Sequence, residues 1–176
     1  MRQDHIAELF IADVRKDMHD YLRRANHCLG MLTEKQVWWR PNDASNSAGN
    51  LVLHLCGNMR QWIICGLGGS PDVRERDTEF AALGGVPRDV LAGLLNATWR
   101  EAEAVLRRLT PAALRRRYVI QGFHVTGLGA VAHVYFHFSY HAGQIVYLTK
   151  LQQGKDLRLT KLPTRVERAR HGDLLR

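Results

Sequence analysis

Three histidines, His133, His137 and His141, fall at i, i+4 and i+8 in the run HVYFHFSYHAGQI. In a helix that spacing stacks their side chains on one face, about one turn apart. Two imidazoles at i and i+4 can clasp one divalent ion, as H-x-x-x-H helices do with zinc. A fourth histidine, His54, lies in LVLHLCGN with Asn50 and Asn58 one turn to either side. Three neutral imidazoles from two helices would hold an ion and leave positions open for water or substrate. The competing reading is a set of core histidines bonded to asparagine, glutamine or backbone. Spacing alone also permits either adjacent pair of the later three to join His54.

The surroundings weigh on that choice. Between Ser45 and Ser70 the only formal charge is Arg60, and between Gly127 and Thr149 there is none. Imidazoles buried on such helices need polar partners, and a shared ion meets the need of three at once. Neither segment contains Asp or Glu, which argues against the carboxylate-rich site of di-iron bundles. A carboxylate near the ion would have to come from the first helix, where Asp13 and Asp17 are the candidates. A mononuclear site of nitrogen ligands suits Zn²⁺ or Ni²⁺.

The elements that must position these residues are helices. Ile6, Phe10, Val14, Met18, Tyr21, Ala25 and Cys28 recur at helical spacing and predict a first helix over Asp4 to Met31. Cap-competent residues at Asn42 to Ser47 place the start of a second near Ser45 to Ser47, and it should run to Gly68. The polar stretch up to Gly84-Gly85 reads as a loop. Pro87 opens a third helix whose stripe is Val90, Leu91, Leu94, Leu95, Thr98, Ala102, Val105 and Leu106. Thr110-Pro111 starts a short helical turn, and Tyr118 to Thr126 reads as extended or loop. A fourth long helix covers Gly127 to Gln152, with Gly154 as its stop. Four long helices make an all-α four-helix bundle with a short extra segment before the last helix. The charge contrast makes the second and fourth helices the inner pair.

Composition narrows the class. The 176 residues fit one domain with a core of its own, divided into a bundle over 1–154 and a basic tail over 155–176. Three cysteines, Cys28, Cys56 and Cys65, show no C-x-x-C spacing and read as buried filler in a reducing cytoplasm. The start MRQDHIAELF lacks a signal peptide's basic and apolar regions. His133, His137, His141, Ser139 and Gln144 make the fourth helix too polar for a membrane span. The net charge of +8 sits in short clusters and in a tail with seven basic residues against three acidic. Without a helix-turn-helix signature or a basic patch interleaved with aromatics, it reads as solvated surface and not as a nucleic-acid face.

SNSAGNLVLHLCGN, followed far downstream by HVYFHFSYHAGQI, resembles the DinB-like superfamily of four-helix-bundle metalloproteins. The likeness runs from the first helix through Leu151 and includes Leu32-Thr33-Glu34 and Trp39-Arg40-Pro41 before the second helix. It implies His54, His137 and His141 as the metal ligands. His133 falls outside the family pattern and is placed beside the site or in the core, with Asn50, Asn58 and Gln144 as further polar neighbours. The superfamily includes S-transferases and isomerases that use low-molecular-weight thiols. The resemblance therefore implies a metal-dependent transferase that joins such a thiol to a small electrophile, the nucleophile being a thiol or water on the metal. A metal-dependent hydrolase and a non-enzymatic metal-binding stress protein are the alternatives. A homodimer is expected, with Trp38, Trp39, Trp62 and Trp99 as candidate contacts.

Overall fold

The computed structural model describes residues 2–160 of the chain. Four long helices carry the fold: α1 (Arg2–Met31), α3 (Ala48–Met59), α5 (Arg88–Leu106) and α7 (Gly127–Gln153). Between them lie three short helices: α2 (Glu34–Val37), α4 (Arg76–Ala81) and α6 (Pro111–Arg115). A hairpin, β1 (Arg117–Ile120) and β2 (Phe123–Thr126), precedes α7. Helix α1 packs against α7 and α5, and α3 packs against α5 and α7, closing a four-membered ring. The layer they enclose is apolar, with Met18, Leu29, Leu55, Met59, Ile63, Leu91, Leu95, Phe138 and Ile145 all buried.

Local chemistry sets the boundaries. Ser47 accepts from the Asn50 backbone N–H, and the Asn50 side chain accepts from the Ser47 backbone N–H, a reciprocal cap that starts α3. Beyond Met59 the same helix widens into a π-helical stretch, Arg60–Cys65. There Gly66 N–H reaches back five residues to the Gln61 carbonyl at 3.0 Å. Strands β1 and β2 pair antiparallel, Ile120 opposite Phe123. The two-residue turn between them puts Gln121 at φ 54° and Gly122 at φ 79°, the left-handed pair such a tight hairpin requires. Thr126 caps α7, and Gly154, at φ 61°, ends it.

Several expectations are corrected here. The stretch before Gly84 is not all loop, because Arg76–Ala81 forms α4. Helix α3 is inner, as the charge contrast predicts, but α7 is only half so. It leaves Phe136 66%, Tyr140 65% and Tyr147 64% exposed. Lack of charge marked the helix as apolar, yet its outer face has no covering element among the described residues. On α5 the buried face is Leu91, Leu95, Thr98, Trp99, Ala102, Val105 and Leu106, while Val90 and Leu94 point outward. Those two lie off the 3.6-residue stripe that the others share. Trp62 and Trp99 are buried and cannot be contacts for a second copy. Trp38 donates its indole N–H to the Val86 carbonyl.

Past Gly154 the chain turns back over α1. Leu157 is buried in the core, and its carbonyl lies 3.1 Å from His27 Nε2. The greater part of the basic tail, 161–176, lies outside the described residues. No helix among the described residues is long and apolar enough to cross a membrane.

Candidate metal centre

His54 enters the bundle from the middle of α3, and His137 and His141 from adjacent turns of α7. His54 Nε2 lies 3.0 Å from His137 Nε2, and His141 Nε2 lies 3.2 Å from that same atom. The three ligand atoms all fall within 4.8 Å of one another, a group that could hold one metal ion. Zn–N bonds of about 2.0–2.1 Å in a tetrahedron imply ligand separations of about 3.3 Å, close to the two short gaps.

Which nitrogen carries the proton follows from the outer partners. His54 Nδ1 is 2.8 Å from Glu79 Oε2 and 3.2 Å from Arg74 Nη2. The guanidinium N–H is taken by Oε2 at 2.8 Å, and an ionised carboxylate only accepts, so Nδ1 donates to Glu79. His141 Nδ1 donates to the Gln144 amide oxygen at 2.6 Å. Both rings therefore turn bare Nε2 lone pairs toward His137 Nε2. One N–H on His137 can point at only one of those lone pairs, whereas a cation satisfies all three nitrogens. The donor set fits a metal. Burial, with its three histidine neighbours and Arg74, pushes His137 down to about 3 and keeps it neutral. Burial also lowers His141, and the proximity of His54 adds to it against the opposing Gln144 bond.

Behind His54 stands a carboxylate that sequence reasoning did not find. Glu79, on α4, receives Arg74 Nε on Oε1 at 2.7 Å and Arg74 Nη2 on Oε2 at 2.8 Å. Burial works to raise the Glu79 carboxyl, but the bonds from Arg74 and His54 outweigh it and hold the group below the usual range. Arg74 Nη1 also donates to Gln61 Oε1 at 2.9 Å. The guanidinium, itself buried, thus braces the carboxylate with a bidentate fork. Phe80 packs on the His54 ring with centroids 4.6 Å apart. One signal was present in the sequence. Gly57 sits one turn beyond His54, and a methyl there would overlap Glu79 Oε1 and crowd Arg74 Nε at 2.7 Å.

The first-helix candidates lie elsewhere. Asp13 is exposed, and Asp17 accepts from the Tyr135 hydroxyl at 2.9 Å. The other polar neighbours divide. Gln144 holds His141, as described. Asn50 instead donates to the Glu79 and Ala82 carbonyls at 2.9 and 2.7 Å, binding the backbone of the α4 segment to α3. Asn58 Nδ2 lies 3.2 Å from His133 Nε2. The His133 ring stacks on Trp62 with centroids 3.8 Å apart, and it stands outside the three-nitrogen group. The π-helical stretch carries Trp62 to that position.

A groove of about 500 Å³ runs between α7 and the segment before α3, and none of the site histidines lines it. Pro41, Ser45, Asn46, Tyr140, Gly143 and Tyr147 line it, Gln144 joins it to His141, and no charged residue faces it.

The family described as "Protein of unknown function (DUF1572)" matches residues 5–165. No curated protein matches the chain. Among solved structures, a conserved protein from Enterococcus faecalis is similar at 16% identity and a TM-score of 0.70, over 81% of this chain and 96% of that one. A DinB-like protein from Bacillus subtilis shares 20% identity at a TM-score of 0.61, over 86% and 95%. Another DinB-like protein, from Bacillus cereus, shares 14% at a TM-score of 0.65, over 85% and 95%. At these identities the likeness concerns the fold, which is DinB-like.

Proposed function

The chain belongs to the DUF1572 family, and from the site within its DinB-like bundle we propose a metal-dependent transferase that joins a low-molecular-weight thiol to a small electrophile. His54, His137 and His141 would hold one divalent ion, Zn²⁺ or Ni²⁺. The observation that carries the reading is the convergence of their three ring nitrogens within 4.8 Å. Bound there, an ion would keep its full positive charge among neutral ligands and lower the pKa of a thiol or water brought to it.

The chain's own residues do the rest. Glu79 and Gln144 hold the Nδ1 protons of His54 and His141 and so aim their Nε2 lone pairs. Arg74 offsets the Glu79 charge, so that the carboxylate does not cancel the positive field at the histidines. The uncharged groove offers room for a small electrophile. Burial pushes Cys56 up to about 12 and raises Cys28 and Cys65 as well. None of the three is a ready thiolate, so the nucleophile comes from solution.

Elemental analysis of protein expressed in metal-replete medium tests the centre, with near-stoichiometric Zn or Ni expected. Consumption of a small aryl or alkyl halide, followed with and without an added thiol, tests the reaction. Turnover that needs the thiol and vanishes in His137→Ala supports the transferase. Loss of an ester substrate without any thiol points to the hydrolase, and metal without turnover to a binding protein.

Two further parts of the reading rest on separate observations. Three buried cysteines without disulfides suit the reducing cytoplasm. The exposed aromatic face of α7 suits a homodimer.

A further inference from the structure

We infer that Glu79 is a positioning residue for the metal centre, holding His54 in the one tautomer that can ligate, and that Gly57 is the gap that lets it do so. The inference rests on the metal reading of His54, His137 and His141. It names a carboxylate that the spacing of the ring residues does not supply.

The geometry has three parts. Glu79 Oε2 meets His54 Nδ1 at 2.8 Å, which puts the proton on Nδ1 and frees Nε2 for the cluster. Arg74 grips both carboxylate oxygens, at 2.7 and 2.8 Å, and so fixes the plane from which Oε2 accepts. The bare backbone of Gly57 is the floor on which this pair rests, since any Cβ there would overlap Glu79 Oε1. Glu79 and its helix are delivered by a crossing segment that Arg40 and Asn50 tie down. Arg40 Nη2 donates to the Phe80 and Ala82 carbonyls, and Asn50 to those of Glu79 and Ala82. Carboxylate partners of ligating histidines orient the ring and raise its basicity, and losing one costs 10- to 100-fold in metal affinity by general experience.

The test is Zn²⁺ affinity by competition with a chromophoric chelator, read beside the ¹⁵N spectrum of the histidine rings without metal. The wild-type spectrum should show His54 as the Nδ1–H tautomer. Glu79→Ala should bind Zn²⁺ about 10- to 100-fold more weakly and lose that tautomer preference, with Glu79→Gln recovering part of both. Gly57→Ala, which keeps every charged group but displaces the carboxylate, should weaken Zn²⁺ in the same direction. A merely structural Glu79 would lower the melting temperature yet leave the folded protein's Zn²⁺ affinity and the His54 tautomer unchanged, and that result overturns the inference. Should the Glu79 variants fail to fold, an Nε2–H tautomer for His54 in the wild-type spectrum overturns it as well. Wild-type protein that binds no Zn²⁺ would instead sink the metal reading itself.

Discussion

The Tyr135 hydroxyl donates to Asp17 Oδ2 at 2.9 Å, joining α7 to α1 at a point 118 residues apart in sequence. The bond gives Asp17 a structural partner in place of a metal. Tyr21 and then Asp17, through their bonds to the hydroxyl, raise the Tyr135 phenol well above its ordinary value, so it stays protonated and donating.

Replacing Tyr135 by Phe removes one hydrogen bond to a carboxylate in a half-buried setting. The expected cost is about 1–2 kcal/mol of unfolding free energy in urea, with metal content unchanged. Asp17→Asn should behave similarly. Loss of metal from either variant, at preserved stability, would return Asp17 to the site.

Much of the bundle is legible in the sequence because period and charge are local signals. The run of uncharged residues around His54 and the cap-competent residues up to Ser47 mark helix positions without knowledge of the fold. Glu79 was not legible in the same way. It sits in a polar stretch whose side chains look solvated, and only α3 and Arg74 turn it inward. The outward face of α7 was missed for the converse reason, since apolar type does not reveal which neighbour covers it. Distance in sequence hid both.

Glu103 gives a pH signature away from the site. It accepts Arg15 Nη2 and Arg107 Nη2, each at 2.8 Å, and the Arg15 bond is the main reason its carboxyl lies below the ordinary 4.5. A carboxyl lowered on folding contributes stability that is present above its unfolded value and lost as the pH falls through its folded value. Glu103→Gln should therefore cost up to about 1 kcal/mol at neutral pH. Urea titrations along a falling pH series should show the gap to the parent closing below 4.5. A gap that stays constant down to pH 2 would show that charge pairing is not its origin.

Self-association should use the outer face of α7. The chain carries a net charge of +8, so two copies repel wherever their basic surfaces meet. Phe136 lies exposed, outside the groove lining, on a helix without charge from Gly127 to Thr149, where that repulsion is smallest. Sedimentation velocity should give a dimer for the parent and a shift toward monomer for Phe136→Lys. An unchanged dimer in that variant would move the interface elsewhere, and a parent that is monomeric at high concentration would refute the dimer.

The four histidines should separate into two classes. His54, His137 and His141 share one cluster of Nε2 atoms, so alanine at any of them leaves two nitrogens, too few to hold an ion well. Each variant should lose most of its metal. His133 points its Nε2 at Asn58, 3.2 Å away, and lies flat on Trp62, so its work is packing and hydrogen bonding. Burial, with Arg74 nearby, lowers its pKa and favours the neutral ring that stacks there. His133→Ala should keep full metal stoichiometry and lose about 1–3 kcal/mol of stability, because it strips the Asn58 amide of its partner. Metal analysis and urea unfolding on the four variants decide the matter together. His133→Ala purifying metal-free while His141→Ala keeps its ion would move the centre one turn toward the start of α7, with His133 and His137 as its pair.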